Sequence, residues 1–153
     1  MNFQPSSKNS ALDALGILIG DWDTEISSFQ ADPTAQFRGQ ASFQWLDGGA
    51  FVQLHAQVPN SEFPTSTALI GADDSAGSFC MLYFDLRGVS RIYQMDLGKN
   101  TWNLWRDFPG FSQRFTATFS ENKNVLSGSW EASTDGTNWE HDFDIKYTKI
   151  RKT

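Results

Sequence analysis

The sequence predicts an all-β protein: a ten-stranded antiparallel up-and-down barrel with a short N-terminal plug helix. Three observations carry this expectation. The apolar spacing changes at Asp21, from a helical period of about 3.6 to a strand period of about 2. Ten alternating runs then follow, each bounded by turn-forming residues. Finally, the chain is rich in rings, with 13 Phe, 6 Trp and 3 Tyr. Such side chains fit pleated, half-buried surfaces.

Residues 1–9 are polar and read as a loose tail, leaving 10–153 as a single barrel domain. Ser10 is placed to cap a helix over Ala11–Ile19, where Leu12, Leu15 and Ile19 recur three and four apart on one face. Gly20 is the natural stop. The strand runs cover roughly 21–30, 36–46, 50–58, 66–72, 78–86, 89–97, 101–108, 112–120, 124–132 and 139–150. Their links are short. They include Asp47-Gly48-Gly49, Arg87-Gly88, Gly98-Lys99-Asn100, Pro109-Gly110 and the Ser133–Asn138 turn with Asp135-Gly136. Sequential strands with short links make a meander, and closing it removes its exposed edges. A ten-stranded barrel has room for a cavity, since eight strands already hold one small ligand. A ten-stranded sandwich is the competing architecture.

The formal charge is −6 and the sequence pI about 4.7. This balance argues against nucleic acid or an anionic membrane as partner, because both call for a basic face. The basic run Lys149–Lys152 is too short to change that. Cys80 is the only cysteine, so no internal disulfide is expected. The first ten residues lack the pattern of a secretion signal. The longest apolar stretch, Leu15–Ile19, is far below a membrane span. A cytoplasmic protein is expected, as a monomer or homodimer.

The helix, the Gly20-Asp21-Trp22 corner and the meander together resemble the calycins, the superfamily of lipocalins and fatty-acid-binding proteins. Their first strand opens with Gly-x-Trp, matched by Gly20 and Trp22. The resemblance implies a basic residue after the last strand that covers this Trp, and Arg151, ahead of Lys149, is placed to do so by cation–π contact. Over nearly the whole chain the sequence is also similar to uncharacterised bacterial calycin-like proteins. That likeness runs through Trp45–Gly49, Tyr83–Val89 with Arg91 and Tyr93, Gln113-Arg114-Phe115, and Ser133-x-Asp135-Gly136 leading to Trp139 and Asp142-Phe143. It implies the fold and carries no assigned reaction. Nitrobindin-like haem barrels are more distantly similar. Their Trp is followed by further glycines, where this chain has Asp23, Thr24 and Glu25.

Alternation sorts each strand into two faces. Phe79, Met81, Tyr83 and Asp85 share one; Arg91, Tyr93 and Met95 another; Trp102, Leu104 and Arg106 a third. Arg114, Thr116 and Thr118 alternate with Phe115, Ala117 and Phe119. The functional reading points Arg91, Tyr93, Arg106 and Arg114 inward to hold an anionic or polar head group, a task suited to the planar guanidinium fork. Tyr83 and His55 are further candidate ligand-binding residues. The alternative turns the arginines outward, paired with Asp85, Asp96, Asp107 and Glu131 on the solvated surface. No catalytic residue and no metal site is identified, since the two His and single Cys lie far apart. No resident cofactor is implied; haem is the one alternative and would take His141 as its axial ligand.

The expected function is non-covalent binding of a small amphipathic or aromatic ligand in the barrel. Two alternatives stand beside it. One is an enzyme, haem-dependent or using His55 with a carboxylate for acid–base work. The other is an interaction module whose barrel is filled by its own side chains.

Overall fold

The computed structural model describes residues 9–59 and 63–151. Among these, ten antiparallel strands close into one barrel in the order β1-β10-β9-β8-β7-β6-β5-β4-β3-β2. They are β1 (Gly20–Ser27), β2 (Phe37–Leu46), β3 (Phe51–Gln57), β4 (Ser66–Asp73), β5 (Ser78–Asp85), β6 (Ser90–Leu97), β7 (Thr101–Arg106), β8 (Ser112–Phe119), β9 (Val125–Ser133) and β10 (Glu140–Lys149). Each matches one of the ten alternating runs within a few residues, and the sandwich alternative falls away. β1 pairs with β10 from Trp22↔Lys149 to Ser27↔Asp144, which seals the sheet and leaves no free edge.

The N-terminal helix differs from expectation in type and register. It is a 3-10 helix over Ser10–Leu18, and Asn9, not Ser10, caps it: the Asn9 side chain accepts the Ala11 N–H at 3.1 Å. Asn9 also donates to the Ala72 carbonyl at 3.4 Å, so the expected tail is tied down at this residue. The rest of that tail, residues 1–8, lies outside the described residues. A 3-10 helix repeats every three residues. The buried stripe is accordingly Leu12, Leu15 and Leu18, with Ile19 only partly covered.

These leucines close one end of the barrel, packing into a core with Trp22, Phe43, Val52, Ile70 and Leu126. The Trp22 indole N–H donates to the Leu18 carbonyl at 2.9 Å, fastening helix to barrel. Gly20 opens β1 with φ +131°, and a Cβ there would stand 3.1 Å from Lys149 Cε. Lys149 uses that space to place Nζ 5.3 Å from the Trp22 ring centroid. The residue covering Trp22 is therefore Lys149 and not Arg151. The register explains the correction: Lys149 sits directly opposite Trp22, whereas Arg151 lies two residues beyond and is exposed.

Candidate functional site

A cavity of about 640 Å³ occupies the other end of the barrel. Its deep wall carries Met81, Trp102, Leu104 and Phe115 from β5, β7 and β8. Its mouth is formed by residues of the loops, including Phe29 and Asp32 between β1 and β2, Phe63 between β3 and β4, Arg87 and Phe111. At one side of the mouth Phe29 stacks on Phe143 with centroids 5.5 Å apart, and Phe63 meets Phe143 edge-on at 5.3 Å. An aromatic strip leads inward: Phe143 lies 6.4 Å from Trp130, which stacks on Phe115 at 5.0 Å and meets the Tyr93 ring at 5.6 Å. Gly128 makes this stacking possible, because a Cβ there would collide with the Phe115 ring.

The polar wall comes from β5, β6 and β8. Tyr93 is buried, and its hydroxyl donates to Gln113 Oε1 at 2.7 Å. Arg91 Nη1 donates to the same oxygen at 3.4 Å. Because guanidinium groups only donate, the Gln113 oxygen must face Arg91, and its amide N–H₂ is left without a protein partner among the described residues. Gln113 is buried and lines the cavity. Burial pushes the Tyr93 phenol above its ordinary value, against the pull of Arg91, Arg106 and Arg87 nearby.

Nearer the rim, Asp85 organises a second group. Its carboxylate accepts the Arg87 guanidinium at 2.7 Å, the Arg87 backbone N–H at 2.9 Å and the Tyr83 hydroxyl at 2.8 Å. The Arg87 bonds hold it well below the usual carboxylate range, overcoming the cost of burial. Burial, and then the bond to Asp85, raise the Tyr83 phenol.

Arg91 and Arg106 have no carboxylate within ion-pair distance among the described residues. Both guanidinium groups instead rest on the Phe111 ring, 4.9 and 6.0 Å from its centroid, and Arg106 also lies 5.3 Å over Phe108. Two cations without a carboxylate partner thus share one aromatic support, Phe111, and of the two Arg91 lines the cavity.

The structure gathers Tyr83, Arg91 and Tyr93 on the cavity wall; Arg106 is not among the lining residues and lies against Phe111, which is. Arg114 departs from the inward expectation. It lies on the outer face, forked onto Glu131 at 3.1 and 3.0 Å and 4.1 Å over the Trp139 ring. Its neighbours in alternation, Phe115 and Gln113, are the residues that face in. His55 is also outside, exposed and bonded to Thr67 at 3.2 Å, because Leu54 and Ala56 occupy the inner face of β3. Gln113 is the residue that the sequence reading passed over. Its signal was present, since it is the polar member of the face carrying Phe115, Ala117 and Phe119.

The β9–β10 register shifts between His141 and Phe143: His141 pairs with Glu131, Phe143 with Trp130. This bulge turns Asp142 towards the cavity and His141 away from it. His141 Nε2 is 2.9 Å from Asp144 Oδ1 on the outside. With both histidines off the cavity wall, the residues present do not supply the axial nitrogen that a haem reading requires. Burial raises the Asp142 carboxyl, with His141 nearby opposing it.

No protein-family model matches the chain, and no curated protein matches it. Among solved structures, the chain is similar to the crystal structure of Rv2717c from M. tuberculosis, with a TM-score of 0.62 and 12% identity. The match covers 98% of this chain and 100% of that one. At this identity the similarity speaks for the fold alone, here a closed ten-stranded antiparallel barrel. No helix among the described residues is long and apolar enough to cross a membrane.

Proposed function

We propose that the protein binds a small amphipathic or aromatic molecule non-covalently in the barrel, for carriage or sequestration. The observation that carries this reading is the cavity of about 640 Å³, with aromatic walls and Arg91, which has no carboxylate partner among the described residues, on its wall. Rings supply burial of the ligand's apolar body, and a few placed polar groups fix its orientation. Arg91 and the Gln113 amide present donors, so the favoured polar end is an acceptor, either anionic or carbonyl. The Tyr93 and Tyr83 hydrogens are already engaged by Gln113 and Asp85, which leaves their oxygens as acceptors. The calycin-like assignment belongs to the same proposal, and so does a small molecule, rather than nucleic acid or membrane, as the partner.

The cavity itself favours this reading over an interaction module with a filled barrel. The test is a fluorescence titration of the purified protein with 1-anilinonaphthalene-8-sulfonate, which joins an aromatic body to an anionic group. Saturable uptake is expected, with loss of binding in Ala56→Trp, which fills the cavity from β3, and weakening in Arg91→Leu. Absence of uptake, or uptake indifferent to Ala56→Trp, overturns the reading.

A further inference from the structure

Asp142 stands out among the cavity residues because the chain departs from regular strand geometry to place it there. In an unbroken β10, Asp142 would share the outer face with Asp144, two residues on. The bulge between His141 and Phe143 breaks that relation: Asp144 stays outside on His141, and Asp142 lines the cavity. The bulge is held in place by the neighbouring loop, since the Asp142 carbonyl accepts the Gln30 N–H at 2.8 Å. Among the described residues the Asp142 carboxylate has no hydrogen-bond or ion-pair partner. A carboxylate turned from water towards apolar walls is costly unless a donor meets it. Bulges commonly re-aim a side chain next to a binding site.

The position of Asp142 within the cavity matters as much as its charge. The donor wall of Arg91 and Gln113 lies on β6 and β8, whereas Asp142 lies on β10. Between them runs the aromatic strip of Tyr93, Trp130 and Phe143. We infer that Asp142 is a second polar anchor, and that the ligand is a flat aromatic molecule with an acidic or carbonyl group at one end and an amino group at the other. The acidic end meets Arg91 and Gln113, the rings lie along Trp130 and Phe143, and the amino group donates to Asp142. This inference rests on the cavity-binding reading above and adds the ligand's second end.

The experiment compares biphenyl-4-carboxylate with 4′-aminobiphenyl-4-carboxylate by isothermal titration calorimetry at pH 7, on the wild type and on Asp142→Ala. The expected result is that the amino compound binds the wild type about tenfold more tightly, the effect of one charge-assisted hydrogen bond. Asp142→Ala is expected to erase that advantage while still taking up biphenyl-4-carboxylate, at least as tightly as the wild type does, and that uptake also shows that the variant is folded. Should Asp142→Ala bind neither compound through misfolding, Asp142→Asn, which keeps the shape, is expected to reduce the advantage severalfold. Equal affinity of the wild type for the two compounds, or an advantage that survives both substitutions, overturns the inference while leaving cavity binding intact. Uptake of neither compound by the wild type overturns the cavity reading and the inference with it.

Discussion

The Tyr93 hydroxyl donates to Gln113 Oε1 at 2.7 Å, and this bond, with the one from Arg91, fixes which way the Gln113 amide faces. Gln113→Leu leaves the buried Tyr93 hydroxyl without its acceptor, a loss of about 1–3 kcal/mol in stability. Tyr93→Phe removes the donor itself, leaves the oxygen to Arg91, and is expected to cost only about 1 kcal/mol. The double variant should be no less stable than Gln113→Leu alone, because neither partner is then left unsatisfied. Urea unfolding of the three variants measures this coupling. Additive losses would mean that the two side chains do not interact.

The closed end gives a sharper contrast. Lys149 covers Trp22, and Arg151 does not. Lys149→Met is expected to lower stability by about 0.5–1 kcal/mol, the scale of one cation–π contact, and Arg151→Met to leave it unchanged. Gly20→Ala should cost about 1 kcal/mol or more, since its φ of +131° is one that L side chains rarely adopt and its methyl would press on Lys149. Thermal unfolding of the three variants decides between the two lysine and arginine placements.

Asp85 makes stability depend on pH in a defined direction. Its pKa is lower in the folded protein than in the unfolded chain, chiefly through Arg87 and then Tyr83. The stability it contributes is therefore complete above the ordinary carboxylate value of about 4 and is lost as pH falls below it towards the folded-state value. The Asp85 side chain is fully buried while that of Arg87 is 54% exposed, so water screens part of the attraction. Asp85→Asn is expected to cost about 2 kcal/mol at pH 7, with the hydrogen bonds contributing more than the charge. The gap to the wild type should narrow by pH 3. A gap that stays constant from pH 7 to pH 3 would show that the carboxylate charge plays no part.

The architecture was legible because alternation and turn chemistry are local. Every one of the ten runs became a strand; Asp135-Gly136 lies in the β9–β10 turn, and Asp47-Gly48-Gly49 joins β2 to β3 as a single 3-10 turn. The site was legible only where alternation could be judged on both faces. β6 has Arg91, Tyr93 and Met95 opposite Ile92, Gln94 and Asp96, and its inner face became the polar wall. On β8 the mainly apolar alternate of Arg114, with Gln113 its polar member, marked the inside, yet grouping Arg114 with the other arginines put it on the wrong face. The covering of Trp22 depended on cross-strand register, which a sequence does not display: Lys149 and Arg151 differ by one pleat. The positions of His141 and Asp142 depended on a bulge, which reverses alternation with no distinctive residue to announce it.

Asp142 should be a burden to the empty fold, as a group held for binding is. Burial raises its pKa above that of the unfolded chain, so the ionised form is disfavoured on folding. The sign is opposite to that of Asp85: the folded protein loses stability as pH rises through the ordinary carboxylate value, and the loss is complete above the folded-state pKa. Asp142→Asn removes the charge while keeping the shape. It is therefore expected to raise the unfolding temperature at pH 7 and to leave it unchanged at pH 3, where the wild-type carboxyl is protonated. Such a gain from one substitution in a binding cavity is the usual sign of stability yielded to function. Thermal unfolding at the two pH values checks it, and a variant less stable than the wild type at pH 7 would show that Asp142 is a structural carboxylate with a partner in the fold. A ligand amino group meeting Asp142 should relieve the same burden. In that case 4′-aminobiphenyl-4-carboxylate raises the unfolding temperature of the wild type more than biphenyl-4-carboxylate does, and raises that of Asp142→Asn by less.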